Sequence, residues 1–212
     1  MIGYYDYTVI ATYTSLLSSF IGIYLAFNEH PFLAIVCLMV SGSLDMLDGR
    51  IANTKKDRTK NQKRFGIQID SMCDLICFGF LPCAIGYSIG MSGVIAVALM
   101  FCYLLCAVIR LSYFNVEEEE RQDATNEKRK FYKGLPVTLS AMIFPCIYIL
   151  NKFFPDIFPY IYAVVMALVA VAFITPFKLK KPGKKELWGV FVVGCIILII
   201  ILVTRFYANN IA

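Results

Sequence analysis

Seven long apolar segments constrain this chain more than any other feature: about 8–28, 31–52, 67–90, 92–114, 135–152, 156–176 and 187–207. A helix crossing ~30 Å of hydrocarbon needs roughly 20 apolar residues, which is close to the length of each. Backbone groups in lipid must be satisfied within the chain, so such segments fold as helices. Of 212 residues, 59% are hydrophobic, more than a soluble domain of this size would need. The expected fold is all-α: a polytopic transmembrane helical bundle of six to eight spans, seven predicted, forming one integral-membrane domain over 1–212. The pair at 135–176 is parted only by a short Lys152–Pro155 stretch, so six spans with a re-entrant hairpin is the alternative. The N-terminus shows neither the basic stretch nor the small-residue cleavage site of a removable signal peptide.

Charge gives the expected orientation. Seventeen of the 20 Lys and Arg lie in 50–64, 121–133 and 178–185, while the alternate turns near 29–31, 90–92 and 152–156 hold only Lys152. Basic loops stay on the cytoplasmic side. Seven spans then put the N-terminus inside and the C-terminus outside, in a multi-pass protein of the cell membrane. The net charge of +5 suits loops resting on anionic membrane lipids. Nothing else in the chain suggests nucleic acid. The stretch 115–134 runs from four consecutive glutamates into a basic tract. It reads as a solvated helix or as a lid over a cytoplasmic site.

Most of the 15 acidic residues fall in loops or near the chain ends. Asp45, Asp48, Asp70 and Asp74 do not. Carboxylates inside spans are costly and usually face a cavity or a partner. Asp45 and Asp48 are i,i+3 on one helix, and Asp70 and Asp74 are i,i+4 on the next, so each pair shares a helix face. Both pairs sit at the same end of antiparallel neighbours. Four facing carboxylates repel one another unless cations intervene. Oxygen ligands without His or Cys favour Mg²⁺, Mn²⁺ or Ca²⁺. A carboxylate-bridged metal pair suits chemistry at phosphorus. Gly49 and Gly66 flank the cluster, as expected where a ligand or backbone approaches closely. The eight cysteines lie inside or at the ends of apolar segments and read as small core residues. His30 is the only histidine, and the chain shows no zinc site and no Ser/His/Asp or Cys/His arrangement.

The stretches 45-DMLDGRIAN-53 and 66-GIQIDSMCD-74 resemble the D-x2-D-G-x2-A-R and G-x3-D-x3-D motifs of the CDP-alcohol phosphotransferase family. The longer run 65-FGIQIDSMCDLICFGFLP-82, with 110-RLSYFNV-116 and 134-GLP-136, resembles the phosphatidylserine synthase branch. The matching blocks run from about 42 to 136. Asn53 stands where the family has an arginine, and the connection from 53 to 65 is longer than usual.

The resemblance implies the membrane fold of that family, usually as a homodimer. It implies transfer of a phosphatidyl group from CDP-diacylglycerol, or an ether-linked CDP-archaeol, to the hydroxyl of L-serine, releasing CMP. Two divalent cations, Mg²⁺ or Mn²⁺ with Ca²⁺ also possible, would be held by Asp45, Asp48 and Asp70 and by Asp45, Asp70 and Asp74. Asp74 would be the catalytic base. Gly49, Ala52 and Gly66 would make room for the CDP moiety. Serine needs a cation for its carboxylate, and Arg110, with Asn115 and Lys133, is the candidate. A phosphorylated acceptor (glycerol 3-phosphate or inositol phosphate) is the alternative within the family. A divalent cation transporter and a purely structural membrane protein are the readings outside it.

Overall fold

A computed structural model describes residues 3–4, 7–52, 55, 57, 59–124 and 131–180, with the backbone alone at 8, 48–52, 122–124, 131–132 and 179–180. The expected span at 187–207 lies outside the described residues. The helices are α1 (Ile10–Phe27), α2 (Pro31–Ala52), α3 (Lys60–Asp74), α4 (Leu81–Ser88), α5 (Val94–Ala124), α6 (Ser140–Tyr148) and α7 (Phe158–Ile174). A π-helical stretch, Leu75–Phe80, joins α3 to α4. Three described helices are long and apolar enough to cross a membrane: Ile10–Phe27, Lys60–Ser88 and Val94–Arg121. Pro31–Leu47, Val137–Lys152 and Phe158–Ile174 are shorter apolar helices. The fold is the expected transmembrane helical bundle. It adds two three-residue strands, β1 (Phe131–Lys133) and β2 (Lys178–Lys180), paired antiparallel with Tyr132 opposite Leu179.

Packing follows the rule of a lipid solvent, in which small residues bring helices together. On α1 the buried positions include Ala11, Ser15, Ser19, Gly22 and Ala26, while Leu17, Phe20, Ile21 and Tyr24 face outward. The 15–19–22–26 spacing draws one helical stripe. Against it packs α2, so closely that a Cβ on Gly22 would lie 2.8 Å from Cys37 Cβ. On the far side of α2 a Cβ on Gly42 would lie 2.5 Å from Ala141 Cβ of α6. Neither contact admits alanine without the helices moving apart.

Serine hydroxyls lock the α1–α2 seam. Ser41 Oγ donates to the Ser15 carbonyl at 3.0 Å, and Ser15 Oγ donates to the Ser41 carbonyl at 3.1 Å. Each hydroxyl has one proton. Ser19 must therefore donate to Ser41 Oγ at 2.7 Å, and the Cys77 thiol to Ser15 Oγ at 3.7 Å. The seam is thereby tied to the π-helical stretch.

Pro82 explains much of the centre. It lacks the N–H that would close a helical turn onto Phe78, and its ring crowds that carbonyl. The wider π turn just before it relieves the crowding. Phe78 is fully buried, so its carbonyl needs a partner. The Tyr103 hydroxyl of α5 donates to it at 2.7 Å. Ser140 Oγ lies 3.3 Å away but donates at 2.7 Å to the Val137 carbonyl. Tyr162 of α7 donates to the Pro82 carbonyl at 3.0 Å and stacks on Phe144 at 4.8 Å between centroids. One proline thus recruits residues from α5, α6 and α7.

The charged connections gather at one end. Lys55 lies 5.9 Å from the Tyr7 ring centroid, and the Tyr4 and Phe65 rings meet edge to face at 6.2 Å. At the same end α5 runs beyond the predicted boundary at 114 to Ala124. Its glutamates are engaged rather than merely solvated. Glu117 accepts from Tyr113 at 2.7 Å and pairs with Lys133, and Glu118 pairs with Arg121. Of the segment 115–134, residues 125–130 lie outside the described residues, and 131–133 form a strand rather than helix.

Replacing Tyr103 by Phe removes the 2.7 Å donor from the Phe78 carbonyl and keeps the longer Ser140 contact. The expected loss is about 1–3 kcal/mol, read as a lower unfolding temperature in detergent, with Ser140→Ala losing less. Hydrogen bonds to Glu117 and then to Tyr113 hold the Lys133 ammonium above its ordinary value. A raised lysine stabilises the fold below its unfolded pKa and stops doing so as pH climbs through its folded one. Glu117→Gln should therefore lower the unfolding temperature slightly at about pH 8, and the difference from the parent should vanish in strongly alkaline buffer.

Candidate active site

Helix α3 starts on a capping box. Thr59 Oγ1 accepts from the Gln62 N–H at 3.2 Å, and Gln62 Oε1 accepts from the Thr59 N–H at 3.0 Å. With the start set, Gly66, Asp70 and Asp74 follow at four-residue intervals along one face. Asp45 stands on α2 one turn beyond Ser41, so the serine-locked seam supports its backbone.

Asp45, Asp70 and Asp74 converge. Each offers a carboxylate oxygen, and the three atoms lie within 4.8 Å of one another. All three residues are half-buried. At an effective dielectric constant of ~20, each ionised pair at that separation repels by about 3 kcal/mol. Among the described side chains, none on α2 and none on α3 beyond Arg64 is positive. The donor set is hard oxygen only, which fits Mg²⁺, Mn²⁺ or Ca²⁺ and not a soft metal. Asp48, Gly49 and Ala52 continue the backbone of α2, but their side chains lie outside the described residues, as does Asn53. Gly66 takes its place on the carboxylate face two turns before Asp74.

The acceptor candidates separate. Arg110 on α5 is buried, 5% exposed, and does not snorkel to the surface. Its Nε donates to the Leu135 carbonyl at 3.2 Å, and its guanidinium lies 5.9 Å from the Phe114 ring centroid. Gly134, next to Leu135, is held close to the chain that follows α7. It has φ +76°, and a Cβ there would meet the Phe173 and Thr175 carbonyls at 3.0 and 3.1 Å. Its N–H donates to the Phe177 carbonyl at 2.7 Å, tying 134-GLP-136 to the end of α7. Asn115 is also buried, with its amide between two α3 residues: Oδ1 accepts from Ser71 at 2.7 Å and Nδ2 donates to Gln68 at 3.3 Å. Lys133 is exposed and engaged with Glu117 and Tyr113.

Ser71, Gln68 and Gly134 lie within the quoted motif stretches, but the sequence assigned them no role. Ser71 directly follows Asp70 in the motif, which was the available signal. The cysteines are not all interior, since Cys102 and Cys146 are exposed on the apolar surface.

Residues 8–175 match the model of the CDP-alcohol phosphatidyltransferase family. Among curated proteins the chain is similar to CDP-diacylglycerol–serine O-phosphatidyltransferases. The Saccharomyces cerevisiae protein is 32% identical over 118 residues, 54% of this chain and 41% of the relative. The Helicobacter pylori protein (strain 26695) is 30% identical over 148 residues, 67% and 57% respectively. The Mycobacterium leprae protein is 32% identical over 136 residues, 62% and 42%. The chain spans about half the length of these relatives. The family match extends over most of the chain and includes both carboxylate-bearing helices, and the chain belongs to the CDP-alcohol phosphatidyltransferase family.

Proposed function

We propose that this chain transfers the phosphatidyl group of a CDP-lipid, CDP-diacylglycerol or CDP-archaeol, to the hydroxyl of L-serine, giving phosphatidylserine and CMP. The observation that carries the reading is the meeting of Asp45, Asp70 and Asp74 from two helices at one end of an apolar bundle. The names of the relatives favour serine as the acceptor. The basic connections at the same end favour a cytoplasmic site in a multi-pass membrane protein.

Asp45, Asp48 and Asp70 would hold one divalent cation and Asp45, Asp70 and Asp74 a second. Bound there, the cations would offset the charge of the diphosphate and favour CMP as the leaving group. The lipid tails stay in hydrocarbon while the diphosphate meets the carboxylate end of α2 and α3. Gly49, Ala52 and Gly66 leave room for the nucleotide. The serine oxygen attacks the lipid-side phosphorus. A P–O bond forms to serine, the P–O bond to CMP breaks, and its electron pair leaves with CMP. The hydroxyl proton passes to Asp74. A carboxylate wholly committed to a cation is a poor base, so this role needs one Asp74 oxygen kept for the proton.

Serine's carboxylate calls for a planar, bidentate cation. Arg110 meets that need from a buried position on α5. Asn115 and Lys133 are engaged with Ser71 and Glu117 and serve the acceptor less directly.

Purified protein with CDP-diacylglycerol should release CMP with L-serine and not with glycerol 3-phosphate, inositol phosphate or inositol. EDTA should abolish the release, and Mg²⁺ or Mn²⁺ should restore it. Product from a phosphorylated acceptor alone would move the chain to another branch, and metal flux in liposomes without CMP release would favour a transporter. Asp74→Asn should lower kcat by about 10²–10⁴-fold while CDP-lipid binding persists. Near-normal turnover would remove Asp74 from the role of base.

A further inference from the structure

We infer that Ser71 and Asn115 form a positioning pair that sets the metal-binding helix α3 against the acceptor-binding helix α5. The inference rests on the reading above, in which Asp70 and Asp74 serve the phosphorus side and Arg110 the serine side. Those two sets of groups stand on different helices. The transfer needs the serine oxygen and the phosphorus brought to near-attack distance, so the offset between α3 and α5 enters the rate directly.

What holds that offset is polar. The Ser71 hydroxyl donates to Asn115 Oδ1 at 2.7 Å, and Asn115 Nδ2 donates to Gln68 Oε1 at 3.3 Å. Gln68 Nε2 in turn donates to Glu119 Oε1 at 3.4 Å. Ser71 and Asn115 are 7% and 8% exposed, whereas Gln68 and Glu119 are more open to solvent. The short, buried Ser71–Asn115 bond is therefore the tight one. Polar contacts have directions and lengths that apolar contacts lack, so this one specifies a single axial register. Ser71 is the neighbour of Asp70, and Asn115 lies five residues beyond Arg110. A slip of α3 along α5 would break the bond and change the offset between the helix that carries Asp70 and Asp74 and the helix that carries Arg110.

Asn115 also has the chemistry of a serine ligand. Its amide oxygen already accepts from Ser71 and its amide nitrogen already donates to Gln68, which assigns it to the helix pair instead. The two roles differ in their kinetics. A lost ligand weakens serine binding, whereas a lost register leaves serine bound and slows the chemical step.

The test is a double-mutant cycle of Ser71→Ala, Asn115→Ala and the double variant in full-length protein, with Ser71→Thr as the hydroxyl-retaining control. Each single variant should lower kcat by about 10–100-fold while the KM for serine moves by less than about threefold. The double variant should be no slower than the worse single, and Ser71→Thr should regain most of the loss. Mn²⁺ binding to the unreacted protein, followed by electron paramagnetic resonance, should stay within about threefold of the parent, because the α1–α2 seam and the packing of α3 on α1 are untouched. Independent, multiplying losses in kcat would overturn the pairing. A serine KM that rises in Asn115→Ala alone would make Asn115 a ligand. A Mn²⁺ affinity that falls in step with kcat would put Ser71 in the metal site. If the double variant does not fold, Gln68→Ala at the open end of the ladder should still give a few-fold fall in kcat that is not additive with Asn115→Ala. If the parent makes no product with serine, the reading above fails on its own. The cycle is then read in unfolding temperature, where 71 and 115 should remain coupled; additive shifts there would overturn the pair.

Discussion

Within a bilayer no water is at hand to satisfy a stray polar group, and this requirement organises the molecule. Its clearest expression is the carbonyl of Phe78. Pro82 denies that carbonyl its helical partner, and the Tyr103 hydroxyl supplies one from another helix at 2.7 Å. Tyr162 and Ser140 make further contacts around the same break, so helices distant in sequence converge on one kinked segment. The serine contacts between α1 and α2 follow the same logic with smaller side chains. On α1 the bulky apolar residues Leu17, Phe20, Ile21 and Tyr24 are left to face outward.

The carboxylate cluster is the place where like charges from two helices are gathered into one spot. Asp45, Asp70 and Asp74 are brought within 4.8 Å by a close seam on one helix and a capped start on the other. Three like charges at that distance are tolerable once a divalent cation joins them. Under the proposed reading, its place at the end of the bundle lets lipid tails, a diphosphate and a soluble acceptor meet. The ladder from Ser71 to Glu119 places a polar ruler between α3 and α5 at the same level.

Much of this was legible in the residues. The helical spans followed from apolar run length, and α2 begins and ends where its segment was drawn, at Pro31 and Ala52. Four-residue spacing made it plain that Asp70 and Asp74 share a face. Other features were not legible. The π turn depends on a carbonyl finding a donor on another helix, which no local pattern reveals. Helix α5 outruns its apolar segment because Glu117 and Glu118 find Lys133 and Arg121, and Glu119 finds Gln68. The pairing of β1 with β2 joins residues some 47 positions apart, beyond the reach of any window. Asn115 stood beside Arg110 among the acceptor candidates, because hydrogen-bonding capacity can be read from a residue type but its use cannot.

The sequence by itself determined that this chain is a membrane helical bundle, that its unusual charges are carboxylates in two pairs, and that they suit divalent cations. Run length, residue chemistry and helical periodicity are local properties, so a linear chain carries them in full. Only the tertiary structure decided that Asp45 joins Asp70 and Asp74, that Arg110 is enclosed beside Gly134 rather than drawn to the surface, and that the Asn115 amide bonds to Ser71 and Gln68 of α3. Each of those outcomes depends on the distance between helices, which is set by glycine and serine contacts and by the partner each buried polar atom finds.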